Sequence, residues 1–144
     1  MNHNRGLKII GDESLIMIFV EGGSKRQREV AYDCAKFAWL ELMPRIRKCE
    51  INIYLKKLKG YHGTCIDTDI REYQIDVDKK LGLGDDFITT IFHEMTHVKQ
   101  LIYKEFFTEC NFYKTREEYL NLTWEIEAYE MQEVLLKKWK LNGK

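Results

Sequence analysis

The sequence has a single proline, no stretch rich in glycine and serine, and no internal repeat. Linkers between domains usually carry such residues, so nothing divides the chain, and its 144 residues fit one domain spanning 1–144. The longest apolar run, Leu15 to Val20, is far shorter than the ~20 residues of a membrane span, and no small-residue cleavage site follows it. These absences predict a soluble protein that is not exported.

An excess of charge of either sign is also missing, because 23 Lys+Arg residues balance 23 Asp+Glu residues. A protein that holds a nucleic-acid backbone usually has a clear basic excess, so the sequence gives no strong nucleic-acid signal. Four cysteines, at positions 34, 49, 65 and 110, form no CxxC pair. Cys34 and Cys49 fall in patterns that suit buried, reduced thiols, which predicts a reducing compartment such as the cytoplasm.

Hydrophobic patterning predicts an α+β domain with a mainly antiparallel sheet. The patterns predict strands at Leu15–Val20, Ile51–Leu55, Thr64–Ile70 and Tyr73–Val77, and helices from Ser24 to Pro44, from Asp85 to Tyr103 and over residues 123–141. We expect the strand at 64–70 to pair with one of its neighbours. Thr115 to Glu118 has the form of a capping box.

The pattern that carries chemistry is His93-Glu94-Met95-Thr96-His97. Two histidines four residues apart on a helix lie on the same face, so both imidazoles can bind one zinc ion. Glu94 points about 100° away and can instead accept a proton from a water that the metal activates. With four histidines in the chain, HExxH arises by chance with odds on the order of one in a hundred, so its context has to decide.

The helical wheel separates the two histidines from the predicted core. A broad apolar stripe contains Phe87, Ile88, Ile91, Phe92, Met95, Val98 and Ile102. His93 and His97 project from the opposite side of the helix, near Asp86, Thr90 and Gln100. A pair of core histidines is therefore not expected, and an exposed pair is the alternative to a metal site.

A third ligand is expected, because catalytic zinc usually has three protein ligands and one open position. The other histidines, His3 and His62, both precede the motif, so a downstream ligand must be a carboxylate. The last predicted helix offers Glu125, Glu127, Glu130 and Glu133.

Glu127 is the residue that this reasoning selects. It falls within the predicted apolar stripe of Leu120, Trp124, Met131, Val134 and Leu135, and a carboxylate on an inward face needs a partner such as a metal ion. An ion pair between Glu127 and a lysine or arginine is the alternative. Glu125 is expected instead to stabilise the helix N-terminus, with Thr123 as the cap.

The segments His93 to Gln100 and Trp124 to Tyr129, set in this order of elements, resemble the gluzincin group of zinc metallopeptidases, especially the minimal forms found in phage genomes. The resemblance implies a zincin-like fold with Zn²⁺ held by His93, His97 and Glu127, and with Glu94 polarising water. SprT-like proteases are similar in the His-Glu-Met-x-His opening, but their downstream histidine and zinc-ribbon cysteines are missing from this sequence.

The sequence therefore predicts a zinc-dependent peptidase acting on peptide or protein substrates, located in the cytoplasm, or in the host cytoplasm if the protein is viral. An extended substrate would add to the sheet edge, for which we nominate the strand Tyr73–Val77. A tyrosine is expected to stabilise the oxyanion, and the chain has eight. The alternatives are a zinc-binding interaction domain without catalysis and a DNA-associated protease.

Overall fold

The computed structural model describes residues 7–8, 15–104 and 123–142, which form an α+β domain. Its strands are β1 (Leu7–Lys8), β2 (Leu15–Gly22), β3 (Lys48–Lys56), β4 (Gly63–Asp69) and β5 (Glu72–Asp78). Its helices are α1 (Lys25–Leu42), α2 (Asp85–Tyr103) and α3 (Glu125–Leu141), with a 3-10 turn at Lys79–Leu81. The predicted strands and helices in the described part of the chain are confirmed, whereas the predicted capping box at Thr115 to Glu118 lies outside it.

The sheet is mixed, so the prediction of a mainly antiparallel sheet is wrong. The strand order is β1-β2-β3-β5-β4, and the long pairings of β2 with β3 and of β3 with β5 are parallel. Helix α1 carries the chain back between β2 and β3, which is the connection that parallel neighbours require. Among the described strands, the short β1–β2 pair and the β4–β5 pair are antiparallel.

The position of β5 also corrects the predicted docking strand, because Tyr73–Val77 lies inside the sheet. Strand β5 pairs with β3 on one side and with β4 on the other, so its backbone has no edge to offer. Among the strands that the structure describes, β4 is the end strand beside β5. Strand β4, which corresponds to the predicted strand Thr64–Ile70, is therefore the edge of the sheet that lies next to α2.

One face of the sheet forms the core with the helices. Alternate residues of β2, β3 and β5 are buried, and the residues between them are only half-buried. Ser24 caps α1: its hydroxyl accepts a hydrogen bond from the Gln27 backbone N–H at 3.1 Å, and Oε1 of Gln27 accepts one from the Ser24 backbone N–H at 3.1 Å. Cys34, Cys49 and Cys65 are free thiols, and the first two are buried as predicted; Cys110 lies outside the described residues.

An aromatic cluster joins the three helices at one end of the core. The Trp139 ring lies 5.3 Å from the Phe37 ring and 5.9 Å from the Phe92 ring, both in edge-to-face geometry. Trp139 is only 6% exposed, so its large apolar surface fixes α3 against α1 and α2. In the part of the chain that can be described, no helix combines the length and apolar character needed to cross a membrane.

Replacing Trp139 with alanine should strongly destabilise the domain. The change removes a buried aromatic side chain and leaves a cavity among Phe37 and Phe92, which costs about 3–5 kcal/mol. Leu141→Ala is the matched control, because Leu141 lies on the same helix but is 81% exposed. Urea unfolding followed by circular dichroism measures both variants, and equal midpoints for the two would show that α3 does not depend on this cluster.

Candidate metal centre

Helix α2 has an apolar face and an opposite face with the two histidines, as the sequence predicts, but both histidines are buried. The apolar residues Phe87, Ile91, Phe92, Met95 and Val98 are all fully buried in the core. His93 and His97 face away from them, but α3 covers both, and they are 9% and 5% exposed. The alternative of an exposed histidine pair is therefore excluded.

Both imidazoles point at one carboxylate, that of Glu125. The Nε2 atom of His93 lies 2.9 Å from Oε1 of Glu125, and the Nε2 atom of His97 lies 3.2 Å from Oε2. One potential ligand atom from each of the three residues lies within 4.8 Å of the other two. This group could hold a metal ion.

Glu127 was predicted as the third ligand beside the histidines, but in the structure its carboxylate faces other partners. Its carboxylate accepts a hydrogen bond from Nε2 of Gln100 at 2.7 Å and lies 3.4 Å from Nζ of Lys99. The ion pair that the sequence left as the alternative for Glu127 is thus present. Glu125, expected only to stabilise the helix N-terminus, takes the place at the centre.

The error comes from the phase assigned to α3. Its buried residues are Ala128, Leu135 and Trp139, whereas the predicted stripe relied on Val134, which is 45% exposed, and on Leu120, which lies outside the described residues. Measured from Ala128 at about 100° per residue, Glu125 lies about 60° to one side and Glu127 about 100° to the other. The side that carries Glu125 also carries Gln132, and it is the side that faces the histidines.

Each histidine is held at its second ring nitrogen by a glutamine. Nδ1 of His93 lies 2.9 Å from Oε1 of Gln132, and Nδ1 of His97 lies 2.7 Å from Oε1 of Gln100. A partner on Nδ1 leaves Nε2 directed at the centre, which is the usual arrangement around a histidine ligand. Neither glutamine was predicted from the sequence, although Gln132 is seven residues from Glu125 and so shares its side of α3.

Two aromatic rings complete the walls around the imidazoles. Trp124 stacks on His97 with ring centroids 4.8 Å apart and planes inclined by 15°, and Tyr129 lies 4.7 Å from the ring of His93. Trp124 immediately precedes Glu125, and Tyr129 lies about one helical turn after it. The rings restrict the imidazoles and reduce the access of water to them.

Glu94 lies beside the centre and is 5% exposed. The start of β4 approaches it so closely that a Cβ on Gly63 would lie 3.1 Å from Oε2 of Glu94 and 2.8 Å from Cγ2 of Thr90. A larger residue at position 63 would therefore have to displace the Thr90 side chain and crowd the Glu94 carboxyl. Burial raises the pKa of Glu94 to about 7, although the neighbouring His97 and His93 oppose the rise.

The charges around Glu125 act in the other direction. Its hydrogen bonds with His93 and His97 lower the pKa of Glu125 to about 2, against a smaller opposing effect of burial. Burial disfavours the charged form of His93, but the bond to Glu125 and the nearby charge of Glu94 outweigh it and raise the pKa of His93. Glu125 is therefore an anion at neutral pH, and Glu94 is a carboxyl poised near neutrality.

The centre opens into a cleft of about 790 Å³ between α2, α3 and the edge strand. The first residues of β4, from Gly63 to Ile66, form one wall together with the turn at 60–62. Tyr61 and Tyr129 are the tyrosines that line it in the described part of the chain. The cleft thus runs along β4, the end strand of the sheet as far as it is described, with the imidazoles and two carboxylates at its floor.

The chain matches none of the protein-family models, curated proteins or solved structures with which it was compared. The chemistry of the site must therefore be argued from its own donor set. Two imidazole nitrogens and one carboxylate oxygen suit a borderline transition metal, and this set leaves a fourth position free in a tetrahedral site.

Neutralising Glu94 should stabilise the metal-free protein at alkaline pH. Below pH 4.5 the carboxyl is protonated in both the folded and the unfolded state, so it makes no difference to stability. Between pH 4.5 and 7 the unfolded state ionises first, and above pH 7 the full cost of burying the charge, on the order of 3 kcal/mol, opposes folding. Glu94→Gln should remove that cost at pH 8 and change little at pH 4.5.

Urea unfolding at both pH values, in the presence of a chelator, measures the effect. Glu130→Gln is the control for removing a charge, because Glu130 lies on the exposed side of α3. A Glu94→Gln protein that is no more stable than the parent at pH 8 would contradict the burial of an ionised carboxylate at this position.

Proposed function

We propose that this protein is a zinc-dependent peptidase in which His93, His97 and Glu125 bind the metal and Glu94 is the general base. One observation carries the proposal: three ligand atoms lie within 4.8 Å of one another on the floor of an open cleft, and a buried carboxyl stands beside them. This is the donor set of a catalytic zinc site rather than of a closed structural one. The likeness of the HExxH helix to gluzincins, seen in the sequence, supports the same assignment.

The Glu94 side chain would move the proton in this reaction. A Zn²⁺ ion bound at the centre would lower the pKa of a water molecule and polarise the scissile carbonyl. Glu94 would accept the proton of that water and deliver it to the leaving amine. In the metal-free protein burial already brings the pKa of Glu94 to about 7, and a carboxyl that lies beside the metal site and out of bulk water is suited to take up a proton and release it.

The substrate would lie along β4 in an extended conformation. Strand β4 is an edge strand whose residues Gly63 to Ile66 face the cleft, so a peptide can add to it through backbone hydrogen bonds. A peptide cannot add to Tyr73–Val77 in this way, because β5 already pairs with β3 on one side and with β4 on the other. For the oxyanion, we nominate Tyr61 and Tyr129, the described tyrosines that line the cleft, of which Tyr129 contacts the ring of His93.

Zinc affinity should depend on Glu125 far more than on Glu127. Glu125→Ala removes one of three ligands and should weaken binding by about 100-fold or more, whereas Glu127→Ala should weaken it by about tenfold at most. Titration against a chromophoric chelator measures both variants. Tight binding by Glu125→Ala together with loss of zinc from Glu127→Ala would return the third ligand to position 127.

Glu94→Gln should retain zinc and the fold while hydrolysis falls by about 10²- to 10⁴-fold. A glutamine keeps the size of the side chain but cannot accept the proton. Cleavage of casein and of a quenched fluorescent peptide library is the measurement, with zinc content determined on the same samples. Equal cleavage by both proteins would exclude Glu94 as the base, and zinc binding without any cleavage by the parent would favour a non-catalytic zinc-binding domain.

A further inference from the structure

We propose that Gln100 and Glu127 are positioning residues for His97: the Gln100 side chain keeps a proton on Nδ1, and Glu127 keeps the Gln100 side chain turned the right way. The inference rests on the proposed function, because it gives these residues a task at the same centre. It also gives Glu127 a task at the centre without making it a ligand. Neither residue touches the reacting atoms.

The orientation of the Gln100 amide follows from its partners. The residue is fully buried, and its Nε2 group donates to the carbonyl oxygen of Trp124 at 3.0 Å and to Oε1 of Glu127 at 2.7 Å. Both partners are acceptors only, so they use the two N–H bonds of the amide. The amide oxygen is then the atom that faces Nδ1 of His97 at 2.7 Å.

An oxygen at this place can only accept, which requires that Nδ1 carry the hydrogen. Nε2 of His97 is then free to give its lone pair to a metal ion. Turning the amide over would set its oxygen against two other acceptors, of which Glu127 carries a charge. The carboxylate thus raises the cost of the wrong orientation, and through it the cost of a proton on the wrong nitrogen.

The hydrogen bonds from Gln100 to Trp124 and Glu127 also hold the start of α3. Gln100 lies on α2, whereas Trp124 and Glu127 lie on either side of Glu125 at the first turn of α3. The hydrogen bonds of the Gln100 side chain therefore orient the ring of His97, one proposed ligand, and hold the backbone next to Glu125, the proposed ligand on α3. Lys99 holds the second oxygen of Glu127 at 3.4 Å, so its contribution has to be separated by experiment.

His93 provides an internal comparison. Its Nδ1 partner, Gln132, comes from α3 and donates to Glu133 at 3.1 Å on the exposed side of that helix. Water can replace the exposed Glu133 as the acceptor, whereas the Gln100 amide is fully buried and Glu127 is half-buried, so water has less access to that contact. Removing Glu133 should accordingly have less effect on His93 than removing Glu127 has on His97.

The first test follows the ring proton of His97 by ¹⁵N-resolved NMR. A proton on Nδ1 of His97 that exchanges slowly with water is expected in both the metal-free and the zinc-loaded protein. It should persist in Glu127→Gln, whose side-chain oxygen still accepts from Gln100, and exchange faster in Glu127→Ala and in Gln100→Leu. A wild-type His97 with its only ring proton on Nε2 would overturn the proposal.

The second test is a double-mutant cycle on zinc affinity. Glu127→Gln keeps an acceptor oxygen but loses the charge, so it should bind between the parent and Glu127→Ala, which should bind roughly five- to tenfold more weakly than the parent; Gln100→Leu should bind roughly 10- to 100-fold more weakly. Adding Glu127→Ala to Gln100→Leu should cause no further loss, because Glu127 acts through Gln100. Lys99→Met and Glu133→Ala are the controls and should bind like the parent.

Additive losses in the cycle, equal losses in Glu127→Gln and Glu127→Ala, or a Lys99→Met variant as weak as Glu127→Ala would each overturn the proposal. A parent protein that takes up no zinc would refute the proposed function. In that case the exchange of the His97 ring proton still decides whether Gln100 and Glu127 position the imidazole.

Discussion

The docking of α3 against α2 is the contact on which the candidate centre depends. Helix α2 supplies two imidazoles and the buried carboxyl of Glu94, and α3 supplies the carboxylate of Glu125 between the imidazoles, so neither helix alone forms a site. The two helices run antiparallel and are joined at both ends and in the middle: Lys140 lies 2.7 Å from Asp85, Gln132 contacts His93, and Gln100 bonds to the first turn of α3. The buried ring of Trp139 supplies the apolar contact beneath these polar ones.

The polar contacts of this interface make metal binding and helix docking dependent on each other. Without a metal ion, the interface buries Glu94 beside the anionic Glu125, and burial, together with a smaller effect of the Glu125 charge, disfavours the charge on Glu94. A divalent ion bound by His93, His97 and Glu125 would supply the positive charge that this arrangement lacks. Binding free energy would then also be folding free energy for α3. The burial of Glu94 thus lowers the stability of the metal-free domain at neutral and higher pH, and it brings the pKa of this carboxyl to about 7.

The residues of α2 could be predicted from the sequence, and those of α3 only in part. The HExxH spacing and the apolar stripe place His93, Glu94 and His97 on one helix and its core on the other side, because both signals are local. The third ligand required the phase of α3, and that phase depends on which apolar residues find a partner. Val134 is apolar but half-exposed, and Ala128 is small but buried; only the packing against α2 distinguishes them.

The sheet was predicted with the same limits. Alternation located each strand, yet strand order is a non-local property, so neither the parallel pairing around β3 nor the insertion of β5 beside it could be predicted. That insertion is what makes β4, and not β5, the edge of the cleft. The glutamines on Nδ1 of His93 and His97 were also beyond local patterns, because each gains its meaning from a partner far along the chain or on the other helix.

A crystal structure of the zinc-loaded protein, with anomalous scattering measured at the zinc edge, would show which residues bind the metal. We expect one ion bound by Nε2 of His93 and Nε2 of His97 at about 2.0–2.1 Å and by an oxygen of Glu125 at about 2.0–2.2 Å, with a fourth position open to the cleft. An ion coordinated by Glu127, or a centre closed by a fourth protein ligand, would contradict this expectation.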